Sequence, residues 1–194
     1  MKTSLKDRKK ALEYIAMSEG YDGRLLVDLL GQYLKPGSTL LEIGMGPGKD
    51  LVMLAEKYRV TGSDISPAFL DLYREKHPDA DLLLLDAVTL NTKRRFDCIY
   101  SNKVLHQLSK KELKESFRRQ SDILNPGGLA CHSFWYGDKK LIHKGMAFQY
   151  YTGKTVSSLF DGLFDIMLQV KYMEMIPDDS LLLVLKKGII KRNT

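Results

Sequence analysis

The chain has 194 residues, 44% hydrophobic and 28% charged, with a formal net charge of +6, a balance that fits one soluble globular domain and excludes a disordered or fibrous chain. No apolar run reaches the ~18 residues of a membrane span, and the opening MKTSLKDRKK lacks the apolar core of a secretory signal, so a cytoplasmic setting with no membrane partner is expected. Cys98 and Cys131 lie in the apolar runs FDCIY and GLACHSFW and read as buried, reduced thiols, and no Cys/His spacing suits a metal.

From the N-terminus, LKDRKKALEYIAM and RLLVDLLGQYL read as helices, the second stopped by Pro36-Gly37. TLLEIGM (39–45) predicts a strand and GKDLVMLAEKY a helix entered from a glycine turn. RVTGSD (59–64) is a strand, and SPAFLDLYREKHP a helix with Ser66 as N-cap and Pro67 at its first position. ADLLLLD (80–86) and FDCIYSN (96–102) are strands. A helix then starts near Ser109, where Ser-Lys-Lys-Glu forms a capping box. NPGGLACHSFW (125–135) is a turn and strand, and TVSSLFDGL a helix. FDIMLQVKYMEM and DSLLLVLKK are strands joined by the Pro177-Asp178-Asp179 turn.

Short apolar strands alternating with helices predict an α/β, Rossmann-like three-layer sandwich. The last two strands, joined by so short a turn, must be antiparallel to each other. The expected sheet is therefore seven-stranded and mixed: five parallel strands plus a C-terminal hairpin. With no repeat or composition break, residues 1–194 read as one domain, divided into N-terminal helices (1–37), a core (38–135) and a closing segment with the hairpin (136–194).

In such a sheet, ligands bind beyond the carboxyl ends of the strands. Gly44, Gly46 and Gly48 stand at that end of the first strand, where they permit positive φ and close backbone approach; a tight connection with no ligand would use the same residues. Asp64 follows Gly44 by 20 residues and ends the second strand, the place for an acid that accepts both hydroxyls of a ribose. Asp86 ends the third strand 22 residues later. Three aligned signals point to an adenosine-shaped ligand. The dinucleotide pattern G-x-G-x-x-G puts its third glycine where Lys49 stands, and this chain reads G-x-G-x-G with Glu42 before it. A carboxylate there repels a pyrophosphate and suits a ligand carrying ammonium and sulfonium groups, which favours S-adenosylmethionine (SAM) over NAD.

LLEIGMGPGKD, GSDIS, LLLLDAV, FDCIYSNKVLHQLS and LNPGGLA, in this order, resemble the successive motifs of class I SAM-dependent methyltransferases, and more narrowly the small single-domain group with a "vLHhl" segment after the fourth strand. The resemblance covers roughly residues 38–135. It implies that Glu42 and the turn Gly44, Met45, Gly46 and Gly48 line the methionine part of the cofactor. It further implies that Asp64 holds the ribose hydroxyls with Ile65 against adenine, that Asp86 and the Ala87 N–H meet the adenine amino group, and that Ser101 edges the methionine moiety. Pro47 departs from the small polar residue common at its position. Tyr14 and Tyr21 fall in the region that lids the cofactor, where an aromatic face stabilises a sulfonium or simply packs the helices on the sheet.

Methyl transfer from a sulfonium needs alignment of the nucleophile, and a base only if the acceptor must lose a proton. His106, in KVLHQLS, is the candidate base, with a structural histidine as the alternative reading. The segment 136–155 is expected to form the acceptor wall. With no inserted substrate domain, a small-molecule acceptor is favoured. The basic clusters at 6–10, 109–119 and 186–192 leave RNA as a second possibility, or are solvated faces. An NAD-dependent oxidoreductase and a non-catalytic SAM-binding or RNA-associated module are the competing readings.

Overall fold

The computed structural model describes residues 8–21, 23–143 and 146–188. The glycine turn is placed by β1 (Thr39–Ile43), whose five residues are almost wholly buried, and α3 (Lys49–Ala55), which follows it. β2 (Arg59–Asp64), α4 (Pro67–Lys76) and β3 (Leu82–Leu84) continue the alternation, then β4 (Phe96–Asn102), α5 (Lys110–Ile123) and β5 (Leu124–Trp135). α1 (Arg8–Met17) and α2 (Arg24–Leu30) precede this core. After it come β6 (Lys140–His143), β7 (Met146–Gln149), α6 (Gly153–Ser157), β8 (Phe164–Tyr172) and β9 (Ser180–Lys187).

The main sheet has seven strands in the order β3-β2-β1-β4-β5-β9-β8. β1 to β5 are parallel, and β9 runs antiparallel to both β5 and β8. The expected architecture is the observed one. The chain builds outward from β1 to β3, then returns to the far side of β1 with β4, so the strand order reverses beside β1 and opens a crevice at the carboxyl ends.

Strand alternation divides the core into two apolar faces. Leu41, Ile43, Ile99, Leu183 and Leu185 join Leu113 and Phe117 of α5 on one face. Leu40, Cys98, Tyr100, Leu182 and Val184 join Leu26, Leu30 and Leu54 of α2 and α3 on the other. A strand buried on both faces loses its polar alternation, which is why these segments read as continuous apolar runs. Both cysteines are free and buried within this core. α1 is attached through Ala11 against Ala68 and Phe69 of α4.

Three elements differ from expectation. β3 covers only Leu82–Leu84, since it pairs with β2 alone at the sheet edge, so Asp86 stands two residues past the strand in a loop. The helix expected over 155–163 is the short α6, which ends where Ser157 and Ser158 turn their hydroxyls back onto the carbonyls of Lys154 and Thr155. The 136–155 segment contains the β6–β7 hairpin, a separate two-stranded sheet. The capping box at Ser109 and Glu112 is formed, with Ser109 Oγ accepting the Glu112 N–H.

Candidate active site

A cavity of about 420 Å³ opens at the carboxyl ends of the parallel strands. Among its lining residues are Glu42, Gly44, Met45, Gly46, Asp64, Ile65, Asp86, Ala87 and His106. Nine residues singled out in the sequence are thus brought to one concavity.

The turn after β1 explains its glycines. Gly44, Gly46 and Gly48 have φ of +67°, +49° and +80°, a region L side chains rarely adopt. A Cβ on Gly44 would stand 2.6 Å from the Val104 side chain, and one on Gly48 would collide with Tyr73. Gly48 itself is not among the cavity-lining residues and instead starts α3 as its N-cap.

Asp64 is 6% exposed; its two oxygens accept the backbone N–H of Gly46 at 3.0 Å and of Ser66 at 2.8 Å. Burial raises its pKa, and those N–H groups oppose the rise. Asp86 Oδ1 accepts from Val88 and Thr89, which fixes the loop beyond β3. Ala87 is fixed through its carbonyl, which accepts the Ser116 hydroxyl at 2.6 Å. Glu42 is buried, and its Oε2 has no hydrogen-bond partner. Burial pushes its pKa well above the carboxylate range, with Asp50 and Asp64 adding like-charge repulsion.

Ser101 stands outside the cavity: its hydroxyl lies 2.8 Å from His132 Nδ1 in the core. His132 Nε2 meets Gln120 Oε1 at 2.7 Å, so this histidine is structural. The next residue along β4, Asn102, lines the cavity and donates to Asp50 Oδ2 at 3.0 Å. Tyr100 donates to the same oxygen at 2.7 Å. Asp50 had no sequence signal, because its partners lie 50 and 52 residues away.

His106 lies in a short 3-10 helix, Leu105–Gln107, and lines the cavity at 2% exposure. Neither ring nitrogen has a hydrogen-bond partner. Burial, with the Lys103 charge adding, lowers its pKa to about 3, so it is neutral above pH ~4 and a weak proton acceptor. Lys103, Trp135, Phe148 and Glu174 complete the wall around it; of these only Phe148 lies in the segment expected to face the acceptor. Tyr14 and Tyr21 both line the cavity, and Tyr14 also packs edge-on against Phe69, the packing role foreseen for it.

Residues 40–128 match a protein-family model described as a methyltransferase domain. Trans-aconitate 2-methyltransferase of Methylobacterium radiotolerans is 34% identical over 92 residues, 46% of this chain and 35% of that one. The enzyme of the same name from Escherichia coli O157:H7 is 29% identical over 110 residues, covering 55% and 43%. The chain therefore spans less than half the length of these curated relatives. In structure, the chain resembles Burkholderia thailandensis 1,6-didemethyltoxoflavin-N1-methyltransferase, with a TM-score of 0.77 at 18% identity over 90% of this chain and 81% of that one. A SAM-dependent methyltransferase from Clostridium acetobutylicum gives 0.76 at 15% identity over 94% and 100%. At such identities the likeness concerns the fold, and its coverage of 90% and 94% of the chain reaches beyond residues 40–128.

Proposed function

We propose that this protein moves a methyl group from SAM to a small-molecule acceptor. The observation that carries the reading is Glu42: a buried carboxylate oxygen with no partner, on the strand that feeds the glycine turn. A buried unpaired carboxylate is costly and is stabilised by a cationic ligand, such as the ammonium of a methionine moiety. The glycine cradle, closed by Val104 against any Cβ, fits the same group.

Glu42 and the turn from Gly44 to Gly46 would hold the methionine part. Each Asp64 oxygen accepts one backbone N–H and retains capacity for a ribose hydroxyl. Ile65 would pack on adenine, with Asp86 and Ala87 at its edge. Asn102 takes the place foreseen for Ser101, because it is the β4 residue that reaches the cavity. When bound, SAM supplies an activated methyl group on a sulfonium. The chain's own residues orient the acceptor and exclude water, with α1 and the following turn, bearing Tyr14, Met17 and Tyr21, as a lid. His106, neutral and weakly basic, orients through a hydrogen bond.

A cavity of about 420 Å³ suits a nucleoside-sized ligand with a small partner. Arg118 and Arg119 of the middle basic cluster pair with Glu115 and Asp122 on the same helix, which weakens the case for RNA. The clusters at 6–10 and 186–192 lie partly outside the described residues. Among the described residues, no helix is long and apolar enough to cross a membrane, and the two buried free thiols support a reducing, cytoplasmic setting.

Calorimetric titration with SAM, S-adenosylhomocysteine and NAD tests the cofactor: binding of NAD alone overturns the reading. Radiolabelled methyl transfer into a cell extract, sorted into small-molecule, protein and RNA fractions, tests the acceptor class; label confined to RNA would reject a small molecule.

A further inference from the structure

One wall of the cavity is made of groups the cofactor reading leaves unused. His106 stacks on Phe148 with ring centroids 5.3 Å apart, and Trp135 lies 6.4 Å from His106. Lys103 Nζ is 4.0 Å from the Trp135 ring centre and 3.9 Å from Glu174 Oε2. These five residues form a continuous surface on the cavity. Two of them carry buried polar atoms without hydrogen-bond partners: both ring nitrogens of His106, and Oε2 of Glu174, whose side chain is 10% exposed. Each such atom costs roughly 1–3 kcal/mol unless a ligand satisfies it.

The fold fixes Glu174 in place. Residues 173–179 connect β8 to β9, and the Asp179 carboxylate accepts the N–H groups of Glu174, Met175 and Ile176 at 2.9, 2.9 and 3.1 Å. Lys103 is held too, with a φ of +52° at the end of β4. Its ammonium donates to the Phe134 carbonyl at 3.0 Å and the Ser180 hydroxyl at 2.6 Å, and faces the Trp135 and Tyr172 rings. Its 3.9 Å ion pair with Glu174 is too long for a hydrogen bond, and although the Tyr172 hydroxyl also faces this carboxylate, Oε2 retains lone pairs for a ligand.

We propose that this wall selects an amine as the methyl acceptor, its apolar body against Trp135 and Phe148. Bound as an ammonium, it gives one proton to the Glu174 carboxylate. The freed nitrogen lone pair, with a remaining N–H on a ring nitrogen of His106, forms the C–N bond to the methyl as the C–S bond breaks. This leaves S-adenosylhomocysteine and an N-methylammonium, and the proton on Glu174 passes to solvent. This rests on the reading of the cavity as a methyltransferase site and adds the acceptor's chemistry and the residue that reads it. Charge disfavours the opposite choice. Five acidic side chains line the cavity, Glu42, Asp50, Asp64, Asp86 and Glu174, against two lysines; even with Glu42 pushed toward its neutral form by burial, acids outnumber cations. Lys49 already donates to the Ser18 carbonyl, and Lys103 is committed as described. A tricarboxylate of the kind named for the curated relatives would meet like charge.

Trp135 is the single tryptophan of the chain, so its fluorescence reports occupancy of this wall. The full chain is titrated with benzylamine, benzoate and trans-aconitate, with S-adenosylhomocysteine binding measured by calorimetry on the same samples. Benzylamine is expected to saturate the signal at concentrations about tenfold below either anion, the scale of one satisfied charge contact. Glu174→Gln is expected to bring the amine and benzoate to within about threefold of each other, with melting temperature and S-adenosylhomocysteine affinity unchanged. Anion binding equal to or tighter than the amine, no response to benzylamine, or an unchanged ratio in Glu174→Gln overturns the proposal. The wild-type ratio decides without the variant should that variant unfold. An amine preference without S-adenosylhomocysteine binding would uphold the wall's selectivity and remove only the cofactor reading.

Discussion

The carboxylate of Asp64, at the tip of β2, accepts the backbone N–H of Gly46 at 3.0 Å, so the acid of one strand braces the glycine turn of its neighbour. The same group that we propose holds a ribose therefore also shapes the glycine turn after β1. Removing it has two separable consequences.

Asp64→Ala is expected to weaken S-adenosylhomocysteine binding by about 2 kcal/mol, some thirtyfold, and to lower thermal stability as well. Asp64→Asn retains an accepting oxygen for the turn and should recover most of the stability while binding stays weak. Calorimetric titration and thermal melts of both variants check this; undiminished affinity in Asp64→Ala removes the ribose role.

Gly44 and Gly46 both have positive φ, yet their surroundings differ. A Cβ at Gly44 would stand 2.6 Å from Val104, whereas at Gly46 the nearest atom is Tyr14 Cε1 at 3.9 Å. Gly46→Ala should cost about 1 kcal/mol for its backbone conformation alone, and Gly44→Ala some 2 kcal/mol more from the clash. Val104→Ala in the Gly44→Ala background should return part of that excess. Chemical denaturation of these variants and of Val104→Ala alone measures it, and a purely additive double variant would exclude the contact.

Burial raises the pKa of Glu42 well above the usual carboxylate range, with the charges of Asp50 and Asp64 reinforcing the rise. Its folded pKa exceeds the unfolded value, so the native state binds the extra proton between the two. Stability on its account is greatest below the unfolded pKa and declines as pH rises through the folded one. A cationic ligand favours the ionised form, so cofactor binding should release a proton and tighten with rising pH. Glu42→Gln should abolish the proton release, weaken binding about tenfold or more, and add about 1 kcal/mol of stability at neutral pH. Calorimetry in buffers of different ionisation enthalpy reads the proton count, and equal release in wild type and variant would refute this origin.

His106 has a folded pKa of about 3, lowered chiefly by burial. Its contribution to stability is complete above the unfolded value near 6.5 and is lost as pH falls from there toward the folded one. The rate against pH should thus show no limb from His106 between pH 6 and 8. His106→Asn should lower kcat by less than the ~100-fold typical of a lost general base. A 100-fold loss together with a limb near neutrality that the wild type shows and the variant lacks would restore the base role.

The sequence determined the architecture, because periodicity, caps and turn residues act between neighbours along the chain. Strand runs, the capping box at Ser109 and the glycines after β1 are local signals, and the acids ending successive strands follow from parallel crossovers that return each strand tip to one edge. Strand phase also decides that Asn102, two residues from Tyr100 and on its face, reaches Asp50, while Ser101 turns to His132. Only the tertiary structure decided the rest of the site. Asp50 meets Tyr100 and Asn102 across the sheet, and Glu174, read from sequence near the end of the strand FDIMLQVKYMEM, stands beyond Tyr172, where β8 ends, and reaches Lys103 from the connection to β9. Such contacts depend on strand order and on a loop pinned by Asp179, neither of which leaves a period or spacing in the chain to read.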